Sequence, residues 1–159
     1  PGGNAKKEQA RMDWAKAFIS ECRNRNIELI SITDHHDVTF VPYVIAAAEA
    51  EGSFTLVLPG VEVTCNDNTQ CIVLFDPSTT QLVWNHFLGK LPGVSQAPPE
   101  ESKIATVVNA NTTILYLVQT VTNDLILRDN CVMLPHFSAG TAHKHLNEDG
   151  NHERLAKIE

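Results

Sequence analysis

Nothing in this sequence approaches the roughly 20 consecutive apolar residues of a bilayer span. Its beginning, Pro1-Gly2-Gly3-Asn4-Ala5-Lys6-Lys7, is basic without the apolar stretch of a secretory signal. A soluble chain that stays in the cytoplasm, with no membrane partner, is the expectation. The cysteines Cys22, Cys65, Cys71 and Cys131 include no C-x-x-C pair, which excludes a zinc ribbon and a dense disulfide framework and predicts reduced thiols. Charged residues make up only 19% against 43% hydrophobic, which excludes a disordered chain and a coiled coil. Positive charge is the scarcer sign, with 12 Lys and Arg against 19 Asp and Glu for a net charge of −7. No overall field therefore draws a nucleic-acid backbone in, and any phosphate-bearing partner must be held locally, most simply by metal ions. A P-loop of the form G-x-x-x-x-G-K-[ST] is also missing, so ATPase activity would belong to another region or a partner chain.

What remains is enough for one domain over residues 1–159. A chain of 17.5 kDa buries roughly two-thirds of the surface its unfolded form exposes. Lys6 to Arg25 reads as an amphipathic helix with Trp14, Ala15, Phe18, Ile19 and Cys22 on its core side. Ile27 to Thr33 is short and β-branched, as a strand buried on both faces should be. Val41 to Glu51 reads as a helix that Gly52 ends, and Phe54 to Leu58 as a strand that Val61 to Thr64 continues beyond a bend at Pro59-Gly60. A turn at Asn66-Asp67-Asn68 leads into a third strand, Gln70 to Phe75, which can pair back antiparallel.

Thr79 to Leu91 is expected to be helical, and proline-rich Pro92 to Ser102 a surface connection. Lys103 to Arg128 reads as one long helix or two short ones, with Thr112 to Val118 open to a strand reading. Cys131 to Leu134 is a fourth strand, and His143 to Lys157 a last helix. This β-α-β-β-α-α-β-α order predicts an α/β domain with a mostly parallel sheet or barrel.

The ionisable residues fall at the ends of those strands. Asp34-His35-His36-Asp37 follows the first, Glu62 lies just past the second and His136 just past the fourth. The C-terminal ends of parallel strands form one rim, where residues distant in sequence meet. A cluster of His, Glu and Asp there has the composition of a site for Zn, Mn or Fe.

The segments ITDHHD (Ile32 to Asp37), LPGVEVT (Leu58 to Thr64) and LPHFSAG (Leu134 to Gly140) resemble metal-binding motifs of the PHP superfamily, named for polymerase and histidinol phosphatase. QCIVLFDP (Gln70 to Pro77) and the helix bearing Trp14 look most like the PHP domains fused to AAA/SMC-like ATPases of the TrlF type. The resemblance implies a distorted (β/α)7 TIM-like barrel, present in part, with divalent metal ions (Mn, Zn or Fe) at its rim. Its implied activity is hydrolysis of phosphoesters, nucleic acid among them, within a larger ATPase-linked protein. Carried over by residue, His35 and His136 become metal ligands and Glu62 a carboxylate bridging two cations. Asp34, the ligand or orienting neighbour of His35, joins Glu62 as a catalytic carboxylate. Cys71 occupies a position where many members carry a ligand His.

The family's opening H-x-H and closing D-x-H are not found, and His143-Lys144-His145 comes too late to be the opening motif. A partial domain lacking its first and last metal motifs is the simplest expectation. Its alternative is a degenerate, non-catalytic module that binds nucleic acid or scaffolds an assembly. Other readings stay open beside the catalytic one. Asp37 is a site residue or a helix N-cap, Cys65 and Cys71 are ligands or buried small hydrophobes, and His36 neighbours the ligand slot. His143, His145 and His152 read as helix-surface residues.

Overall fold

The computed structural model describes residues 2–67, 69–94 and 110–136. Helix α1 (Gly2–Asn24) buries Ala15, Ile19 and Cys22, as its spacing predicts. Trp14, expected in the core, is instead 49% exposed. The helix ends where Asn26 takes a left-handed φ of 55°. There the Asn26 and Ile27 amides bond the carbonyls of Arg23 and Cys22 at 3.0 and 2.9 Å, a Schellman reversal built on Asn. Strand β1 (Leu29–Ile32) follows, then helix α2 (Val41–Ala50), which stops at Gly52 as expected.

The two pieces expected before and after Pro59-Gly60 form one strand, β2 (Leu56–Thr64). It runs parallel to β1, from Leu29 opposite Leu56 to Ile32 opposite Pro59. Gly60 permits this approach, since a Cβ there would lie 2.6 Å from Ser31 Oγ and 3.1 Å from the Ile32 carbonyl oxygen. Strand β3 (Gln70–Phe75) returns antiparallel after the turn at Asn66 and Asp67. Helix α3 (Gln81–Gly89) and helix α4 (Ile114–Asn123) come next. Thr113 caps α4 by accepting the Tyr116 amide on Oγ1 at 3.2 Å. Strand β4 (Cys131–His136) pairs antiparallel with β3, giving the sheet order β1-β2-β3-β4.

The expected (β/α)7 barrel is therefore not what forms. The described residues make a small α/β fold with an open, mixed, four-stranded sheet and four helices. A barrel of that kind needs each strand delivered parallel to the last by a crossover helix. Here only β1-α2-β2 is such a unit, and the β2–β3 hairpin places an antiparallel strand between β2 and β4. Among the described residues β1 and β4 are the edges.

Side-chain alternation gives the sheet two different faces. Val61, Val63, Cys71, Val73 and Phe75 point toward Trp84, Phe87 and Leu117, while Val57 packs with Ala15, Ile19 and Val44. All four helices thus contribute to cores on this face. Glu62, Thr64, Gln70, Ile72 and His136 alternate onto the other, together with Val132 (61% exposed) and Leu134 (47% exposed). Among the described residues helices cover one face only, so β1 is not doubly buried, and its Leu29 is 57% exposed.

Of the helix expected over Lys103 to Arg128, the described part forms α4 and then turns. The helix expected at His143 to Lys157, with His143, His145 and His152, lies outside the described residues. Among the described residues no helix is long and apolar enough to cross a membrane.

Candidate functional site

The parallel register of β1 against β2 continues past the end of β1. The Glu62 amide donates to the Asp34 carbonyl at 3.1 Å, the His36 amide donates to the Glu62 carbonyl at 3.0 Å, and His35 sits opposite Glu62. The DHHD segment is thereby stitched to the side of β2. His36 enters the left-handed region with φ 54°, a conformation that costs a β-carbon residue about 1 kcal/mol or more. Its Nε2 accepts the Thr64 amide at 2.9 Å. Burial, and then the neighbouring His35, lower the His36 pKa, so the ring is held neutral with a lone pair on Nε2.

Around Glu62 three expected site residues come together. His35 Nε2 lies 3.4 Å from Glu62 Oε2, and His136 Nε2 lies 3.2 Å from Glu62 Oε1. His35 arrives from the loop after β1, Glu62 from β2 and His136 from the end of β4, the three strands that run in one direction. The Glu62 side chain is mostly buried, and both imidazoles are partly open to solvent. Two further polar atoms on this face, Thr64 Oγ1 and His136 Nδ1, are buried and have no hydrogen-bond partner among the described residues. Buried atoms of this kind normally meet water, an ion or a ligand.

Asp34 meets Glu62 through its backbone, its carbonyl accepting the Glu62 amide. Burial raises its carboxyl pKa first, Asp37 adds repulsion, and His35 pulls the other way. Asp37 is not the N-cap of α2, a position held by Phe40. Its Oδ1 instead accepts the amide and hydroxyl of Thr39 at 2.8 and 2.6 Å, closing a local turn.

Cys71, expected at a ligand position, is on the wrong face. It is fully buried on β3 opposite Val63, in the core shared with Cys65. Burial pushes its thiol up to about 12, with Cys65 adding to the shift, so it stays protonated. The alternation of Cys71 with Val73 and Phe75 was the signal for this placement.

Whether a metal fits turns on the two His–Glu contacts. Two donors each roughly 2.1 Å from one ion lie about 3.0–3.4 Å apart at tetrahedral to octahedral angles, and the observed 3.2 and 3.4 Å match that spacing. Because the imidazoles meet different oxygens of Glu62, each position would have one nitrogen and one oxygen from the described residues. No group of three or more His, Cys, Asp and Glu side chains among the described residues is arranged to hold a metal ion. The chemistry and spacing fit, with ligands still to be added by solvent or other chain.

Sequence reasoning passed over a second polar cluster. Asp124 Oδ2 contacts His86 Nε2 at 2.8 Å and Lys90 Nζ at 3.1 Å, while Oδ1 accepts the Ile126 and Leu127 amides at 2.9 and 3.2 Å. The His86 contact is the chief cause holding the Asp124 carboxyl well below the usual range. Oδ2 thus ties α3 to the end of α4, while Oδ1 closes the local turn that follows α4. A shallow, open depression of about 350 Å³ beside it is lined by Lys90, Tyr116, Gln119, Thr120 and Asn123.

Compared with protein families, with curated proteins and with solved structures, the chain finds no match.

Proposed function

We propose that this chain is the PHP-like module of a metal-dependent phosphoesterase, acting on nucleic acid as part of a larger ATPase-linked protein in the cytoplasm. The observation that carries the reading is the Glu62 carboxylate with an imidazole nitrogen against each oxygen, at 3.4 and 3.2 Å, where parallel strands end. His35 and Glu62 would hold one divalent cation, and His136 and Glu62 a second. A bound pair of cations supplies Lewis-acid stabilisation of the attacking and leaving oxygens of a phosphoester. The chain's own contribution is positional. β1–β2 pairing fixes His35 against Glu62, His36 locks the loop, and β4 delivers His136. Asp34, whose carboxyl pKa is raised by burial, would hold or pass a proton beside His35. The free cysteines support a reducing compartment.

The test is turnover of a bis-aryl phosphodiester with added Mn²⁺, for the parent and Glu62→Gln. Glu62→Gln keeps the volume and removes the charge that lets two cations sit close, so turnover should fall to background while the circular dichroism is unchanged. Equal turnover in the two proteins would overturn the metal mechanism. A second reading, the non-catalytic module, is favoured by one observation: with Cys71 facing the core, each cation position keeps only two protein ligands among the described residues. Failure of the folded parent to bind Mn²⁺ or turn over substrate would make it the better account.

A further inference from the structure

The two buried polar atoms without hydrogen-bond partners among the described residues, Thr64 Oγ1 and His136 Nδ1, belong to one row of the sheet. Thr64 on β2 pairs with Gln70 on β3, and Gln70 with His136 on β4. Directly paired residues present their side chains on the same face. The adjoining row is Glu62, Ile72 and Leu134. His136 therefore crosses β3 on a diagonal to bring Nε2 to 3.2 Å from Glu62 Oε1. With Nε2 committed to Glu62, Nδ1 is the remaining polar atom of the ring.

The spacing suits one water between the two atoms. Neighbouring strands lie about 4.8 Å apart, so the backbones of Thr64 and His136 are separated by roughly 9.6 Å. A hydroxyl and an imidazole that reach toward each other over β3 shorten that gap, and two hydrogen bonds through a single water span roughly 5.5 Å. A buried water takes about two to four polar partners. Thr64 Oγ1 and His136 Nδ1 supply two, and Gln70, between them in the row, carries an amide that can donate or accept. Because both atoms are buried, they are closed to a substrate on the open face, and the partner they call for is an internal one.

We infer that Thr64 is a positioning residue for His136, its hydroxyl holding Nδ1 through one buried water and so fixing the ring whichever nitrogen carries the proton. A neutral imidazole has one donor nitrogen and one acceptor. Facing the Glu62 carboxylate at 3.2 Å with no cation between them, Nε2 carries the proton and Nδ1 accepts. When the ring gives its Nε2 lone pair to a cation, the Nε2 proton passes to solvent and Nδ1 takes one up, so Nδ1 becomes the donor. A backbone carbonyl would serve only the second state and an amide N–H only the first, whereas a hydroxyl and a water serve both. The Thr64 amide is the one that His36 accepts at 2.9 Å. One residue of β2 thus holds the His35–His36 loop by its backbone and His136 by its side chain. The cation-bound half of this inference rests on the proposed metal reading, and the bridge itself does not.

The experiment reads the imidazole nitrogens of the ¹⁵N-labelled chain by NMR, first in EDTA and then with Zn²⁺, with His136 assigned by the signals lost in His136→Gln. Thr64→Val keeps the side-chain shape and the amide that His36 accepts, and removes only the hydroxyl. In EDTA it should move the His136 Nδ1 resonance toward that of an unbonded acceptor, and Thr64→Ser should return it. Zn²⁺ affinity, measured by competition with a chromophoric chelator, should fall roughly 10- to 100-fold in Thr64→Val and recover in Thr64→Ser. A threonine that serves packing alone would lower the urea midpoint of Thr64→Val and leave the Nδ1 resonance in place, which overturns the bridge. Equal Zn²⁺ affinity of parent and folded Thr64→Val overturns the positioning role and leaves the metal reading standing. A parent that binds no Zn²⁺ removes the metal reading alone, and the bridge is then decided by the Nδ1 resonance in EDTA.

Discussion

His36 holds a left-handed backbone, φ 54°, and from it accepts the Thr64 amide on Nε2 at 2.9 Å. The side chain thereby supplies a ladder bond to β2 one step beyond the point where the backbone of β1 turns away. The bond lies next to the bridge that sets His35 opposite Glu62.

The first prediction follows from the protonation state. Burial lowers the His36 pKa below its ordinary 6.5, so the folded protein favours the neutral ring more than the unfolded chain does. The unfolded state therefore takes up the proton first as pH falls. Stability from this group is fully present above about pH 6.5 and declines below it. Urea midpoints across this range should fall for the parent, and the decline should be shallower in His36→Ala. That variant should also be destabilised by about 1–3 kcal/mol at neutral pH, because the Thr64 amide loses its partner. An identical pH profile in the two proteins would show that His36 is not the titrating group.

Much of this arrangement is written locally. Gly52 stops α2, the Asn66-Asp67 turn makes the hairpin, and the DHHD segment follows β1, each from the chemistry of a few adjacent residues. The sheet as a whole is not written that way. That β3 lies antiparallel between β2 and β4 depends on long-range pairing, and an order of elements compatible with a barrel is equally compatible with an open sheet. Asp124 escaped notice for the same reason, since its partner His86 is 38 residues away with no motif linking them. Trp14 fits the apolar period of α1 and still lies half outside, packed on Phe18 and against Phe40.

Gly60→Ala should disturb the site without touching it. Its Cβ would meet Ser31 Oγ at 2.6 Å and the Ile32 carbonyl at 3.1 Å. One of these contacts can be relieved by a rotamer change and the other only by moving backbone. A loss of about 1–3 kcal/mol is expected, and Ser31→Ala should restore part of it in a double-mutant cycle. Full additivity of the two substitutions would mean that the strands separate elsewhere.

Cys71→His probes the face assignment. An imidazole at this fully buried position must enter the core beside Val63 and Cys65 rather than reach Glu62. The substitution should cost roughly 2–4 kcal/mol in urea unfolding, from overpacking and an unpaired polar ring. It should leave Mn²⁺ affinity unchanged. Tighter Mn²⁺ binding would show that residue 71 turns to the face that carries His136.

The strongest discrimination comes from metal-linked stability, which needs no substrate. A ligand that binds only the folded state stabilises it by RT ln(1 + [L]/Kd), about 2.7 kcal/mol at one hundred times Kd. The parent should therefore gain thermal stability as Mn²⁺ is added. His35→Ala removes the nitrogen paired with Glu62 Oε2, and His136→Ala the one paired with Oε1, so each should lose part of the gain and keep the rest. Glu62→Gln keeps both imidazoles but takes away the only charge common to the two positions, and it should lose the gain altogether. This ordering, with the single His variants between the parent and Glu62→Gln, is specific to a carboxylate shared by two positions. If one His variant abolished the gain and the other left it whole, a single ion would sit on one side of Glu62 only. A full gain in Glu62→Gln would place the metal elsewhere in the chain and remove the basis of the catalytic reading.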